Sequence, residues 1–303
     1  MRHRATIRYL TAGLAIVLLS TAVRAAEPAR IDSKTAEVDG LRLHYLSAGQ
    51  GDALILLHGY AETSRMWRPV IPLFAERFTV IAPDLPGIGE SGIPKDGLSM
   101  KRSAEYIHGL AQSLGIKKAR VVGHDIGLMV AYAYATIFPS EVERLVLMDA
   151  FVPGVPGWEA VYNSPAIWHF RFYGPTPEAL VAGRERTFFE HFWNDFAANS
   201  DHSIPEAERK AYTAAYSAPG RMRAGFAYFE SFPQTANDFA ELSKTKLSMP
   251  VLSIGGAKAN GALLREQMPL IGSRTKSIVI PDAGHWILEE KPKETIEALK
   301  GFL

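Results

Sequence analysis

Between residues 37 and 149 of this 303-residue chain, short apolar runs alternate with longer segments whose apolar positions recur at helical spacing. Glu37 to Leu46 carries alternating apolar positions around Asp39-Gly40, the pattern of a hairpin that would supply an antiparallel edge. Leu54-Ile55-Leu56-Leu57 is continuously apolar, as a strand buried on both faces must be, and it runs into His58-Gly59-Tyr60. A short helix is expected from Trp67 to Phe74, a strand over Thr79 to Ala82 and a helix from Met100 to Leu114. Val121-Val122, an apolar helix reaching Phe138 and a strand over Leu145 to Met148 continue the alternation. After a break, strands are expected at Val251 to Ile254 and Ser277 to Ile280, and a helix from Lys293 to Leu303 closes the chain. Strand and helix in turn predict an α/β protein with a mostly parallel sheet.

The break runs from Phe151 to about Asn237. It holds no good strand pattern and many aromatics, among them Trp158, Trp168, Phe170, Phe188, Phe192, Trp193, Tyr216, Tyr228 and Phe229. An inserted helical lid over residues 151–237 accounts for this, with most of its rings serving as its own core against the main domain. Residues 26–150 and 238–303 then form the two parts of that domain. Ahead of them, Arg2, Arg4 and Arg8 precede an apolar run from Tyr9 to Leu19 and a small-residue stretch ending at Ala26. Residues 1–25 therefore read as an export signal cut after Ala25 or Ala26, since the apolar run is shorter than the ~20 residues a spanning helix needs. A periplasmic or secreted protein is expected, with no stable membrane insertion after cleavage.

Composition narrows the function. At 47% hydrophobic and 21% charged residues the chain is an ordinary globular protein. It has no cysteine, which excludes disulfides and cysteine-ligated zinc, and its nine histidines show no paired metal spacing, so no metal or cofactor is expected. Loss of residues 1–25, with four arginines and no acids, leaves 29 basic against 32 acidic groups, a net charge of −3. Without a basic cluster interleaved with aromatics, a nucleic-acid partner is not expected. The pattern leaves the oligomeric state open; a homodimer is compatible with it.

The chemistry concentrates in Arg120 to Ala131, where an apolar strand turns sharply into an apolar helix. Asp125 sits at the apex between Gly123 and Gly127, the G-x-S-x-G pattern of a nucleophile elbow with Asp in place of Ser. The same pattern could be a glycine-flanked turn whose Asp merely caps the helix. A carboxylate attacking an acyl carbon gives an anhydride, with little relief of reactivity. Attack on an sp3 carbon bearing a strained or good leaving group instead gives an alkyl ester that water can cleave, which points to epoxides or carbon–halogen bonds. Pro281-Asp282-Ala283-Gly284-His285-Trp286 follows the last expected strand, so His285 reaches the same sheet edge and is the expected base. A carboxylate must orient it. Gly255 to Gly261 holds no acid until Glu266, leaving Asp149, directly after the strand ending at Met148.

His58-Gly59-Tyr60, Asp84 to Ser91, Gly123-His124-Asp125-Ile126-Gly127 and Gly284-His285 resemble an α/β-hydrolase of the epoxide hydrolase and dehalogenase branch, over most of the mature chain. Within it, Ile167-Trp168-His169-Phe170, Ala182 to Arg186 and Phe188 to Phe192 are similar to the secreted Cif-type epoxide hydrolases. The resemblance implies an α/β-hydrolase fold: a mostly parallel eight-stranded sheet flanked by helices, with a helical lid. It implies that Asp125 attacks the epoxide carbon, His285 activates water, Asp149 orients His285, and His169 donates a hydrogen bond to the epoxide oxygen. The backbone N–H groups of Tyr60 and Ile126 would form the oxyanion hole, while His124 would pack beside the elbow. Trp67, Trp168, Tyr228, Phe229 and Trp286 are the pocket candidates for a small apolar epoxide or halogenated substrate. Three positions depart from the family pattern. Ala61 stands where Pro is common, and Asp149 where Cif-type proteins carry Glu. Phe229 stands where a ring-opening tyrosine is expected, with Tyr228 one residue early and about 100° round a helix.

A dehalogenase would use the same Asp, His and Asp. The residue after the nucleophile is often Trp in haloalkane dehalogenases and Arg in fluoroacetate dehalogenases, and here it is Ile126; absence of the tyrosine weighs the other way, because halide departure needs no proton. A non-catalytic binding protein on this fold is the more distant alternative, since such proteins tend to lose one of the three groups.

Overall fold

The computed structural model describes residues 29–303, so the export signal expected over residues 1–25 lies outside the described residues. Within them, β1 (Asp32–Val38), β2 (Leu41–Ala48), β3 (Asp52–Leu57), β4 (Phe78–Pro83), β5 (Ala119–His124), β6 (Val142–Met148), β7 (Val251–Gly256) and β8 (Thr275–Ile280) form one sheet in the order β1-β2-β4-β3-β5-β6-β7-β8. β1 pairs antiparallel with β2, and β2 with β4; every other pairing is parallel. The antiparallel edge follows from Asp39 and Gly40, whose φ angles of 49° and 75° allow a tight reversal that most residues resist.

The inner strands are apolar at consecutive positions because both faces are covered. Val121 and Leu145 face one core layer, with the helices Met100–Ser113 and Ile126–Ile137; Val122 and Val146 face the other, with Phe74 and Leu299. This α/β-hydrolase fold agrees with the alternation in the sequence. One local expectation fails: the helix from Trp67 to Phe74 is a 3-10 turn, Ser64–Trp67, followed by a separate helix, Ile71–Ala75. Pro69 and Pro72 have no N–H to donate four residues back, which interrupts the helical ladder there, and Pro72 sits in the first turn of the second helix.

Between β6 and β7 the described chain is built from helices: Trp158–Tyr162, the 3-10 segment Pro165–Arg171, Pro175–Val181, Glu185–Asp195, a 3-10 turn Ser200–His202, Glu206–Ser217, Arg221–Glu230 and Phe232–Leu242. The boundary placed at residue 237 falls inside the last of these. Aromatic density ends near there, but the helix continues and packs Phe239 on Tyr132 of the core, ring centroids 5.0 Å apart. Where the insertion leaves β6, buried Gln267 accepts from the Val152 N–H (2.8 Å) and donates to the carbonyls of Val152 and Val155 (3.0 Å each). None of the described helices is long and apolar enough to cross a membrane.

Candidate active site

The elbow after β5 is tight. A Cβ on Gly123 would lie 2.1 Å from the Gly127 carbonyl oxygen, and one on Gly127 would lie 2.5 Å from the carbonyl oxygens of both Leu57 and His58. Only hydrogen fits at either place, and the helix Ile126–Ile137 can therefore start against the sheet. Asp125 takes φ 52° and ψ −121°, a strained conformation for a residue with a side chain, which lifts its carboxylate above the sheet edge. The Tyr60 N–H donates to Asp125 Oδ2 at 2.8 Å. Ile126 begins the helix, so its N–H has no acceptor four residues back in that helix. The loop carrying Tyr60 is held by His58, which donates from Nδ1 to the Gly59 carbonyl (2.7 Å) and accepts at Nε2 from the Leu85 N–H (2.9 Å). Next along, Ala61 has φ 60°, which proline, with φ fixed near −65°, cannot adopt.

Asp149 follows β6 with φ 40° and is fully buried. Its Oδ1 accepts from the backbone N–H groups of Gly256 (2.8 Å) and Asn260 (3.3 Å), and its Oδ2 lies 2.8 Å from His285 Nδ1. His285 Nε2 is 3.9 Å from Asp125 Oδ1, too far for a direct hydrogen bond, and an oxygen that bonds to both must sit to one side of the line joining them. Burial by itself would lower the His285 pKa. The hydrogen bond to Asp149 and the charges of Asp125 and Asp149 outweigh it and raise the pKa to about 9.

His169 comes from the 3-10 segment Pro165–Arg171 and stands among Phe170, Phe192, Phe196 and Phe229, ring centroids 4.6 to 5.4 Å away. Its Nδ1 is buried without a partner among the described residues. Burial, then the nearby His191 and His285, push its pKa down to about 3, so the ring is neutral and offers one N–H as a hydrogen bond. The cavity over Asp125 and His285 has a volume of about 260 Å³. Tyr60, Met129, Phe151, Phe170, Phe229 and Trp286 are among the residues that make it apolar, and Asp195, Lys258 and Asn260 supply its polar part.

Asp125, Asp149, His285, His169 and Tyr60 thus meet around one cavity, with Phe229 and Trp286 in its wall. Three pocket candidates do not belong to it. Trp67 is fully buried in the core layer on the opposite face of the sheet, because the 3-10 turn folds it beneath the strands. Trp168 is 40% exposed and packs on Phe172 and His191, since consecutive residues of a 3-10 turn diverge by about 120° and His169 takes the inward position. Tyr228 is fully buried, with its hydroxyl donating to the Pro86 carbonyl (2.9 Å) and 3.0 Å from Ser103 Oγ. Neighbours on the helix Arg221–Glu230 point different ways, and Phe229 alone of the two faces the cavity.

Glu290 escaped the sequence reading. Its Oε1 accepts from the Gly284 N–H (3.2 Å) and the Trp286 N–H (3.3 Å), and its Oε2 from the Ala198 N–H (2.8 Å), tying the His285 loop to the insertion. The only signal for it was an acid five residues after the histidine.

A family model described as alpha/beta hydrolase fold matches residues 52–292. The chain is 33% identical over 275 residues to a soluble epoxide hydrolase of Corynebacterium sp. (strain C12), covering 88% of this chain and 96% of that protein. It superimposes with a TM-score of 0.83 on the Cif epoxide hydrolase of Acinetobacter nosocomialis, at 26% identity over 92% of this chain and 90% of that one. A fluoroacetate dehalogenase of Burkholderia sp. is 24% identical over 286 residues, covering 90% of this chain and 93% of that protein. The chain belongs to the α/β-hydrolase family. It is an enzyme of that family's epoxide hydrolase-like branch.

Proposed function

We propose that the enzyme opens small apolar epoxides to vicinal diols through an alkyl ester on Asp125. The observation that carries this reading is the Asp125 carboxylate held by the Tyr60 N–H at 2.8 Å and faced by a His285 that is itself hydrogen-bonded to buried Asp149. With Oδ2 engaged, Oδ1 is free to attack an epoxide carbon; the C–O bond of the ring breaks and its oxygen is met by the N–H of neutral His169. Water between His285 Nε2 and the ester then adds to the Asp125 carboxyl carbon, giving its proton to Nε2. The oxyanion forms at Oδ2, where the Tyr60 and Ile126 N–H groups stabilise it; loss of one such donor typically costs about 10²–10³ in rate. Collapse expels the alkoxide, which takes the proton back from His285; the water's second proton, left on the Asp125 carboxyl, passes to the former epoxide oxygen, so the product leaves as the diol and Asp125 returns to the carboxylate.

The water oxygen stays in Asp125. In a single turnover in H₂¹⁸O with enzyme in excess, the diol should therefore carry no label, and the peptide containing Asp125 should gain about 2 Da, one ¹⁸O in place of ¹⁶O. Label in the diol after one turnover, with Asp125 unlabelled, would sink the covalent route in favour of direct attack by water.

The charges set the pH dependence. Ionised Asp125 helps raise His285 to about 9, and alkylation removes that charge. His285 accepts a proton only when neutral, so ester hydrolysis should accelerate as pH rises, with a midpoint below about 9 in the alkyl-enzyme. Single-turnover hydrolysis rates between about pH 6 and 10, a range that brackets histidine titration and this midpoint, test it; a midpoint above that of the free enzyme overturns it.

A second reading is dehalogenation by the same three residues, favoured by one observation: Phe229 puts a ring without a hydroxyl where a second donor to the departing oxygen would stand. Halide release from a haloacid, with no diol from any epoxide offered alongside, would transfer the assignment.

A further inference from the structure

Behind Asp125 and His285 lie a carboxylate and an imidazole that the chemistry above does not use. His124 is buried, and its ring centroid is 4.7 Å from that of His285. Its Nε2 lies 3.0 Å from the backbone oxygen of His285, and its Nδ1 lies 3.2 Å from Glu62 Oε2. A carbonyl oxygen only accepts, so Nε2 carries a hydrogen in every state of the ring. A further proton must then sit between Nδ1 and Glu62, or two acceptors would face each other. Burial disfavours the charged ring, but the hydrogen bond to Glu62 prevails and raises the His124 pKa, which favours holding that proton on the ring.

Glu62 is fully buried, and its other oxygen has no hydrogen-bond partner among the described residues, so His124 is what holds it. Glu289, next to this pair, has its enclosed Oε2 unpartnered among the described residues, and burial and the Glu62 charge raise its pKa far above the usual carboxylate range. Gly59 closes the third side. A Cβ there would stand 2.9 Å from His124 Nδ1 and 3.1 Å from Glu62 Oε2, and any side chain would part the two.

We propose that Glu62 and His124 form a second carboxylate–imidazole pair that positions the first, Glu62 fixing the His124 ring and His124 Nε2–H holding the main chain of His285. The inference rests on the roles of Asp125 and His285 given above. His285 is then held at three points: its Nδ1 by Asp149, its N–H by the Phe196 carbonyl (2.8 Å) and its C=O by His124 together with the Ile287 N–H (2.9 Å). Asp149 controls how the ring is turned, whereas His124 controls where the ring stands relative to the ester on Asp125. A displacement of about 1 Å costs on the order of 10²-fold when the attacking group must be aimed. Both histidine and carboxylate are positioning residues, and alkylation by Asp125 does not need them.

The test separates the two half-reactions in the full-length enzyme. His124→Phe fills the volume without an N–H, and His124→Gln restores a donor that can reach the His285 carbonyl. Ester hydrolysis in a single turnover should fall about 10- to 10²-fold in His124→Phe with alkylation unchanged, and His124→Gln should recover most of it. If His124→Phe does not fold, His124→Asn, whose amide falls short of the carbonyl, takes its place with the same expectation. Wild-type hydrolysis in His124→Phe or His124→Asn, or equal loss in both half-reactions without rescue by His124→Gln, overturns the inference. Failure of the wild-type enzyme to form any ester would instead refute the mechanism beneath it.

Discussion

Asparagine in place of Asp149 should slow hydrolysis of the ester about 10⁴-fold while the protein still folds. The size of the effect follows from the two ends of this carboxylate. Oδ1 accepts the N–H groups of Gly256 and Asn260, and an asparagine must keep its oxygen there, because its NH₂ would otherwise face two donors. The amide nitrogen then points at His285 Nδ1, which has to accept. The ring's hydrogen moves to Nε2, the atom that must take a proton from water, and the imidazole is locked in the wrong tautomer. Alkylation needs only Asp125, so the ester should form at its normal rate and accumulate, visible as an intact-mass adduct. Glu266, the other acid weighed for this role, is exposed on the helix Gly261–Ile271, and Glu266→Gln should change neither step. Undiminished hydrolysis in Asp149→Asn together with its loss in Glu266→Gln would reverse the assignment.

That Asp149 could be chosen from the sequence, while Trp67 was misplaced, reflects what each kind of residue reports. Gly123 and Gly127 are forced because a Cβ on either would stand 2.1 to 2.5 Å from backbone oxygens, and a constraint that hard leaves its mark in the sequence itself. Asp149 and His285 follow strands whose continuous apolar runs fix their ends, so both were tied to one sheet edge. Aromatic residues carry a weaker message. Trp67, Trp168, Phe229 and Trp286 are equally apolar, yet one lies beneath the sheet, one packs half-exposed on the insertion and two line the cavity. Which of these a ring does is decided by a turn of the chain near Pro69 or by the 3-10 winding of Pro165–Arg171, neither of which hydrophobicity encodes. Glu62 and His124 lay further out of reach. They are 62 residues apart in sequence, and nothing in a buried glutamate's neighbours along the chain announces the histidine that pairs with it.

Tyrosine in place of Phe229 should raise the rate of epoxide opening by as much as about 10²–10⁴-fold, the range that general-acid assistance supplies. In the proposed mechanism, opening the ring puts negative charge on an oxygen in an apolar cavity, and in the native enzyme His169 would meet that charge alone. Its pKa of about 3 keeps it neutral, so it contributes a hydrogen bond and no positive charge. Phe229 lines the same cavity, its ring centroid 5.4 Å from that of His169, and a hydroxyl at its far edge would give the oxygen a second donor. Tyr228 cannot serve instead, because its hydroxyl is already donated to the Pro86 carbonyl and it stands on the core side of the helix. A departing halide needs no proton, so dehalogenation should stay nearly flat in the same variant. Single-turnover alkylation of wild type and Phe229→Tyr, each with one epoxide and one haloacid, reads both effects. An epoxide rate that falls would mean that the cavity needs the bare ring for packing against the substrate, and that His169 already supplies all the stabilisation the opening requires. Equal acceleration of both substrates would remove proton donation as the cause and leave a general tightening of the cavity in its place.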